Sequence, residues 1–137
     1  MEEKEKVGYQ QLYVGLEFPP RSYKLEAGMV SDYLRAVGES NPIYQKEGLV
    51  PPLAITAFAM AALSEGLDMP PGTIHVSQEL QFLFPAHSGD TITCFSKVSR
   101  KADRGGMHIM ATDISVVNQQ NAKVLTGRVG FVLPEII

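Results

Sequence analysis

Apolar and polar residues alternate with period two through the C-terminal half of this chain. In 73–84, Ile74, Val76, Leu80, Phe82 and Phe84 share one parity, with polar Gln78 as the exception, while Ser77, Glu79 and Gln81 take the other. Ile92, Cys94 and Val98 share a face within 90–100, Met110, Ile114 and Val116 within 107–117, and Leu125, Val129, Phe131 and Leu133 within 123–133. Such alternation predicts strands with one buried face. The connections are short, Gly105-Gly106 and then 118–121. Short connections make consecutive strands antiparallel hairpins.

The N-terminal half has a different period. Val30, Tyr33, Leu34 and Val37 fall at i, i+3, i+4 and i+7, one stripe of an amphipathic helix over 27–37. Gly38 stands where a left-handed C-terminal residue is wanted. Tyr23 and Leu25 suit a short edge strand over 21–25, the first ordered stretch expected. Asn41-Pro42 stops any helical continuation, and a loop should follow. A second helix is expected over 53–64, entered through Pro51-Pro52, since a proline costs nothing where no intrahelical partner exists. Its residues leave no polar face, so it must be enclosed on most sides.

One apolar helix followed by four long strands packs best if the sheet curls round the helix. That is an α+β hot-dog arrangement, whose exposed edge can pair with a second copy as a dimer. Residues 1–20 read as a tail and lead-in, with Met1 to Lys6 frayed and solvated, and 21–137 as one domain.

Composition narrows the function classes. The 137 residues are 45% apolar and 20% charged, with net charge −3. This is an ordinary globular balance, and the absence of a basic stripe argues against nucleic acid. The uncharged run 48–64 is short for a bilayer crossing and rich in Ala, so it reads as a core helix rather than a membrane span. The lone Cys94 has no internal partner, and no signal-peptide pattern begins the chain, so a reducing cytoplasm is expected. The histidines His75, His87 and His108 lack metal-like spacing; His75 falls on the polar parity of its strand. No metal site is expected.

The segment Gly38-Glu39-Ser40-Asn41-Pro42-Ile43-Tyr44 resembles the Gly-Asp-x-Asn-Pro-[Leu/Ile]-His segment of the MaoC-like hot-dog proteins. These are the (R)-specific enoyl-CoA hydratases and 3-hydroxyacyl thioester dehydratases. The downstream order agrees: Phe82-Leu83-Phe84-Pro85, then Gly89-Asp90, then a β-meander. The resemblance implies acyl-CoA or acyl-carrier-protein thioesters as substrates, fatty acid metabolism as the setting, and no cofactor. It also implies that an Asp/His pair activates water while a backbone N–H at the start of the central helix holds the thioester oxygen, here near Pro52 and Leu53.

Both chemical positions are changed. Glu39 stands at the Asp position, one methylene longer, and Tyr44 at the His position. A phenol, with a pKa of about 10, is no base at neutral pH. Proline at 51 and 52 removes N–H groups from the helix entry. Asn41 and Pro42, which set the backbone, are kept. The resemblance thus implies a subunit that lacks the full pair and works as a heterodimer with a catalytic hot-dog partner. Two other readings stay open: a self-sufficient hydratase using Glu39, and a non-catalytic acyl-CoA or acyl-carrier-protein binding module. A thioesterase is disfavoured, since the only acid on the central helix, Glu65, lies at its far end.

Overall fold

Eight elements order the chain, and a computed structural model describes residues 5–134. They are β1 (Glu17–Lys24), α1 (Ala27–Val37), α2 (Ile43–Lys46), α3 (Pro52–Gly66), β2 (Ile74–Phe82), β3 (Thr91–Arg104), β4 (Met107–Val117) and β5 (Lys123–Leu133). A single 3-10 turn, Tyr9–Gln11, precedes them. The strands form one sheet in the order β1-β3-β4-β5-β2, and every neighbouring pair is antiparallel. The fold is the α+β hot-dog fold expected from the sequence.

The meander β3-β4-β5 forms as its alternation requires. Ile92, Cys94 and Val98, then Met110, Ile114 and Val116, then Leu125, Val129, Phe131 and Leu133 are all buried on the concave face. The β4–β5 turn is held by Asn118, whose Oδ1 accepts from the Gln120 and Ala122 N–H groups at 2.9 and 3.0 Å. Burying both Asn118 and its acceptor capacity is tolerable because that capacity is used. Gly127 lets β2 lie close to β5, since a Cβ there would stand 2.5 Å from the Glu79 carbonyl oxygen.

The helix α1 spans the expected 27–37 and ends on Gly38 in the left-handed region, φ 73°. The Glu39 N–H donates to the Leu34 carbonyl at 2.9 Å, closing the helix end. α3 lies over β1, β3 and β4. Ala54, Ile55, Ala59, Ala62 and Leu63 are buried beneath it, and Arg21 of β1 pairs with Glu65 at 2.8 Å.

Four expectations need correction. First, order begins before residue 21. Val7 bridges to Leu67, Tyr9 and Leu12 are buried in the core, and β1 starts at Glu17. Pro19-Pro20 sit in a register shift between Phe18 and Arg21, which an edge strand tolerates. Met1 to Lys4 lie outside the described residues.

Second, β2 does not keep one parity. A bulge between His75 and Ser77 flips the strand, so His75 faces Phe131, ring centroids 4.8 Å apart, while Ile74 and Val76 are exposed. Third, α2 is a short helix where a loop was expected. Fourth, α3 is not closed all round: Leu53, Ala57 and Ala61 form an open stripe. Among the described residues no helix is long and apolar enough to cross a membrane.

Candidate functional site

The segment that carries the family-like motif turns at the start of α3. After Gly38 the chain makes two side-chain-to-backbone turns in succession. The Glu39 carboxylate Oε1 accepts from the Asn41 N–H at 2.9 Å, and Asn41 Oδ1 accepts from the Ile43 N–H at 3.1 Å. Pro42 then starts α2, with the Lys46 N–H donating to its carbonyl at 2.9 Å. Both turns use polar side chains to satisfy backbone groups locally. Glu39 and Asn41 are exposed, and Glu39 shares no hydrogen bond with Tyr44.

Tyr44 instead lies half-buried against an apolar cavity of about 340 Å³. Pro52 and Ile55 of α3 form one wall, Leu49 and Val50 another, and Phe82 through Ala86 a third. The Leu49–His87 bridge and the Val50 N–H to Ala86 carbonyl bond, 2.9 Å, pin the second wall to the third. His87 does not line the cavity; it is half-exposed, its backbone N–H donating to Asp90 Oδ2 at 2.9 Å.

The prolines do not abolish a helix-end donor. Pro51 and Pro52 bring none, and the Ala54 N–H is turned onto the Pro51 carbonyl at 3.0 Å. Leu53 is then the first residue of α3 to carry an N–H, in the turn whose amides by geometry lack intrahelical acceptors. The helix dipole favours negative charge there. No acidic residue occupies the first turn of α3.

Of the residues singled out from the sequence, Tyr44 and Pro52 share the cavity, while Glu39, Asn41 and Pro42 shape the loop beside it and do not line it. The Leu53 side chain is 56% exposed. The walls from Leu49, Val50 and Val124 were not anticipated; only the apolar run Phe82-Leu83-Phe84 carried a signal, as three large residues at a strand end.

Polar side chains are concentrated at the other end of α3. Asp103 Oδ1 accepts from the Tyr9 hydroxyl at 2.8 Å and lies 2.6 Å from His108 Nδ1. The Tyr9 and His108 rings stack at 4.2 Å, and Lys101 Nζ sits 4.7 Å from the Tyr9 ring centroid while donating to the Leu12 carbonyl. Burial, then the Asp103 carboxylate, push the Tyr9 phenol up to about 12. The hydrogen bonds from His108 and Tyr9 hold the Asp103 carboxyl below its ordinary range. Cys94 is buried, and burial pushes its thiol up to about 12, so it is not a nucleophile at neutral pH. Among the described residues no cluster of three or more His, Cys, Asp or Glu side chains could hold a metal.

Comparison with known proteins bears on the family and the fold. Residues 12–127 match the model of the family described as FAS1-like, dehydratase domain region. The acyl-coenzyme A thioesterase PaaI of Escherichia coli is 36% identical over 72 residues, a stretch covering 53% of this chain and 46% of that protein. The chain therefore spans about half the length of the curated relative it matches. Among solved structures, the R-hydratase PhaJ1 from Pseudomonas aeruginosa superposes with TM-score 0.79 at 23% identity, covering 96% of this chain and 88% of that one. The HadBC (3R-hydroxyacyl-ACP dehydratase) complex from Mycobacterium tuberculosis superposes with TM-score 0.72 at 18% identity, covering 87% and 96%. The resemblance to MaoC-like hot-dog proteins drawn from the motif holds.

Proposed function

This chain belongs to the FAS1-like, dehydratase domain region family, and we propose that it is an acyl-thioester-binding hydratase or dehydratase subunit that depends on a partner for its acid/base pair. One observation carries the reading. The only carboxylate of the motif, Glu39, is bonded to its own loop, and a phenol faces the cavity where a base is needed. The thioester-binding parts remain: an apolar cavity and the first-turn Leu53 N–H at the positive end of α3, suited to a carbonyl oxygen that gains charge during reaction.

The partner reading is supported by β2. Its outer edge is unpaired, and Ile74, Val76, Phe82, Leu83 and Phe84 are exposed along it and just beyond it. An unpaired edge with apolar residues is a template for strand addition. The HadBC relative is itself a complex. The occupant proposed is a second hot-dog chain bearing the Asp and His, acting on enoyl or 3-hydroxyacyl thioesters of CoA or a carrier protein. A reducing cytoplasmic setting fits the lone buried Cys94.

The test is hydration of crotonyl-CoA and of longer enoyl-CoAs. The isolated chain should give no turnover above background, and adding the partner should give turnover that depends on both chains. Robust turnover by the isolated chain overturns the reading. If that turnover vanished in Glu39→Gln, the self-sufficient hydratase would replace it. Affinity for acyl-CoA with no turnover under any pairing would leave a binding module.

The match to PaaI supports one further reading, acyl-CoA hydrolysis. The first turn of α3 has no acid to serve it, and Glu65 is paired with Arg21 at the far end. Release of CoA thiol from acyl-CoA by the isolated chain is the observation that would favour it.

A further inference from the structure

The C-terminal end of α3 borders a cavity of its own, of about 430 Å³. Tyr9 and His108 of the polar cluster line it, together with Asp68, which follows just beyond the last residue of α3. Pro70, Leu133 and Pro134 give it an apolar wall.

One nitrogen of the cluster is unspent. A carboxylate can only accept, so His108 Nδ1, 2.6 Å from Asp103 Oδ1, is the donor of that bond. In the neutral ring Nε2 then holds the lone pair, and it has no hydrogen-bond partner among the described residues. Stacking on Tyr9 at 4.2 Å fixes the plane of the ring. The exposed Asp68 carboxylate is likewise unpaired among the described residues; only its backbone N–H is bonded, to the Val7 carbonyl at 2.9 Å.

The charge around the cavity has one sign. None of its lining residues is cationic, and the last turn of α3, the negative end of the helix dipole, holds no basic residue. Lys101, the cation of the cluster, is committed to the Tyr9 ring and the Leu12 carbonyl. An anion would be repelled by Asp68 and by the helix end. A bare metal ion would find too few ligands, since no three His, Cys, Asp or Glu side chains gather among the described residues. A cation that brings its own N–H donors and an apolar body satisfies every wall.

We propose that this cavity binds a small organic ammonium ion. Its N–H groups meet His108 Nε2 and the Asp68 carboxylate, and its hydrocarbon body lies against Pro70 and Leu133. The site stands apart from the thioester reading and does not depend on it.

Three probes of one shape and different charge, added to the full chain at constant neutral pH, test this: cyclohexylamine, which is protonated there, cyclohexanol and cyclohexanecarboxylate. With histidine rings labelled with nitrogen-15, cyclohexylammonium should move the His108 Nε2 signal upfield, as a lone pair does on gaining a donor. Cyclohexanol should bind about fivefold more weakly, the factor an exposed ion pair supplies, and cyclohexanecarboxylate should cause no shift. Asp68→Asn keeps the shape of the side chain and the backbone bond to Val7. It should lower cyclohexylammonium affinity about fivefold and leave cyclohexanol affinity unchanged.

An Nε2 signal unmoved by cyclohexylammonium overturns the proposal, and that measurement needs no variant. Equal affinity for the ammonium ion and the alcohol overturns it too, as does an Asp68→Asn protein that binds the ammonium ion undiminished.

Discussion

The two ends of α3 are built on opposite principles. At its N-terminal end the surroundings are apolar, the one motif carboxylate is spent on its own loop, and the first turn of α3 carries no acidic residue. At its C-terminal end Tyr9, Lys101, Asp103 and His108 form a mutually bonded polar cluster that clamps the N-terminal segment to the β3–β4 hairpin. A His–Asp pair is present in this protein, but not where the family-like motif lies. A carboxylate beside an imidazole is chemistry only where the imidazole meets substrate; here it is bonded to Asp103 and stacked on a buried tyrosine. Polar capacity that is already consumed holds a fold together, and capacity left over binds ligands.

The strongest way to break this comparison is to remove what both ends share. Leu63 is fully buried at the centre of the packing under α3. Leu63→Ala should lower unfolding free energy by about 2–5 kcal/mol through lost transfer energy and a cavity, read from chemical denaturation. Both the apolar cavity and the N-terminal clamp should weaken together.

The next test gives the N-terminal end the groups it lacks. Glu39→Asp with Tyr44→His restores the motif pair, and a positioned acid/base group contributes about a hundredfold or more. The isolated double variant should hydrate crotonyl-CoA at least about a hundredfold faster than the unaltered chain. No gain would mean that the loop geometry, and not the side chains alone, has departed.

Tyr9→Phe sharpens the contrast from the other side. It removes the hydroxyl that donates to Asp103 Oδ1 and to the Ala102 carbonyl at 2.9 Å. Stability should fall by about 1 kcal/mol, the usual net worth of a hydrogen bond at a part-buried position. Acyl-CoA affinity should not change, because the cluster lies at the far end of the helix.

The smallest expected effect is a pH dependence confined to the clamp. Tyr9 has its folded pKa raised to about 12, so its contribution is full below the unfolded value of about 10 and is lost as pH rises toward 12. Asp103 is shifted the other way, so its contribution is full above the ordinary carboxylate range, about 4, and is lost as pH falls below it. Amide exchange at Val7, which donates to the Gly66 carbonyl, and at Asp68, which donates to the Val7 carbonyl, should quicken at both extremes. Tyrosinate absorbance should show one phenol titrating near 12.

Several features were legible in the chain alone because short-range physics decides them. α1 and its stop at Gly38 follow from a 3.6-residue stripe and one left-handed position. The meander followed from period two, since its alternating apolar positions are buried on one face, with β3 shifting register beyond Val98. β2 misled because the extra residue at Val76 puts Ile74 and His75 on the opposite parity from Leu80, and nothing local marks a bulge. Tyr9 and Leu12 misled because their burial comes from partners about ninety residues away, such as Ala102, Asp103 and Lys101. At the site, the exchange of Asp for Glu39 and His for Tyr44 was plain, whereas the destination of the Glu39 carboxylate was not.

By itself, then, the sequence determined which elements form and which chemical groups are on hand, because periodicity, proline and glycine act within a few residues of themselves. Only the tertiary structure decided which of those groups are spent and which are free. The Glu39 carboxylate became a loop brace, Asp103 and His108 a clamp on Tyr9, and the open alanine face of α3 a groove. The clamp on Tyr9 and the groove depend on contacts between distant segments, whose partners no local pattern can name, while the Glu39 brace is a contact made two residues along the chain.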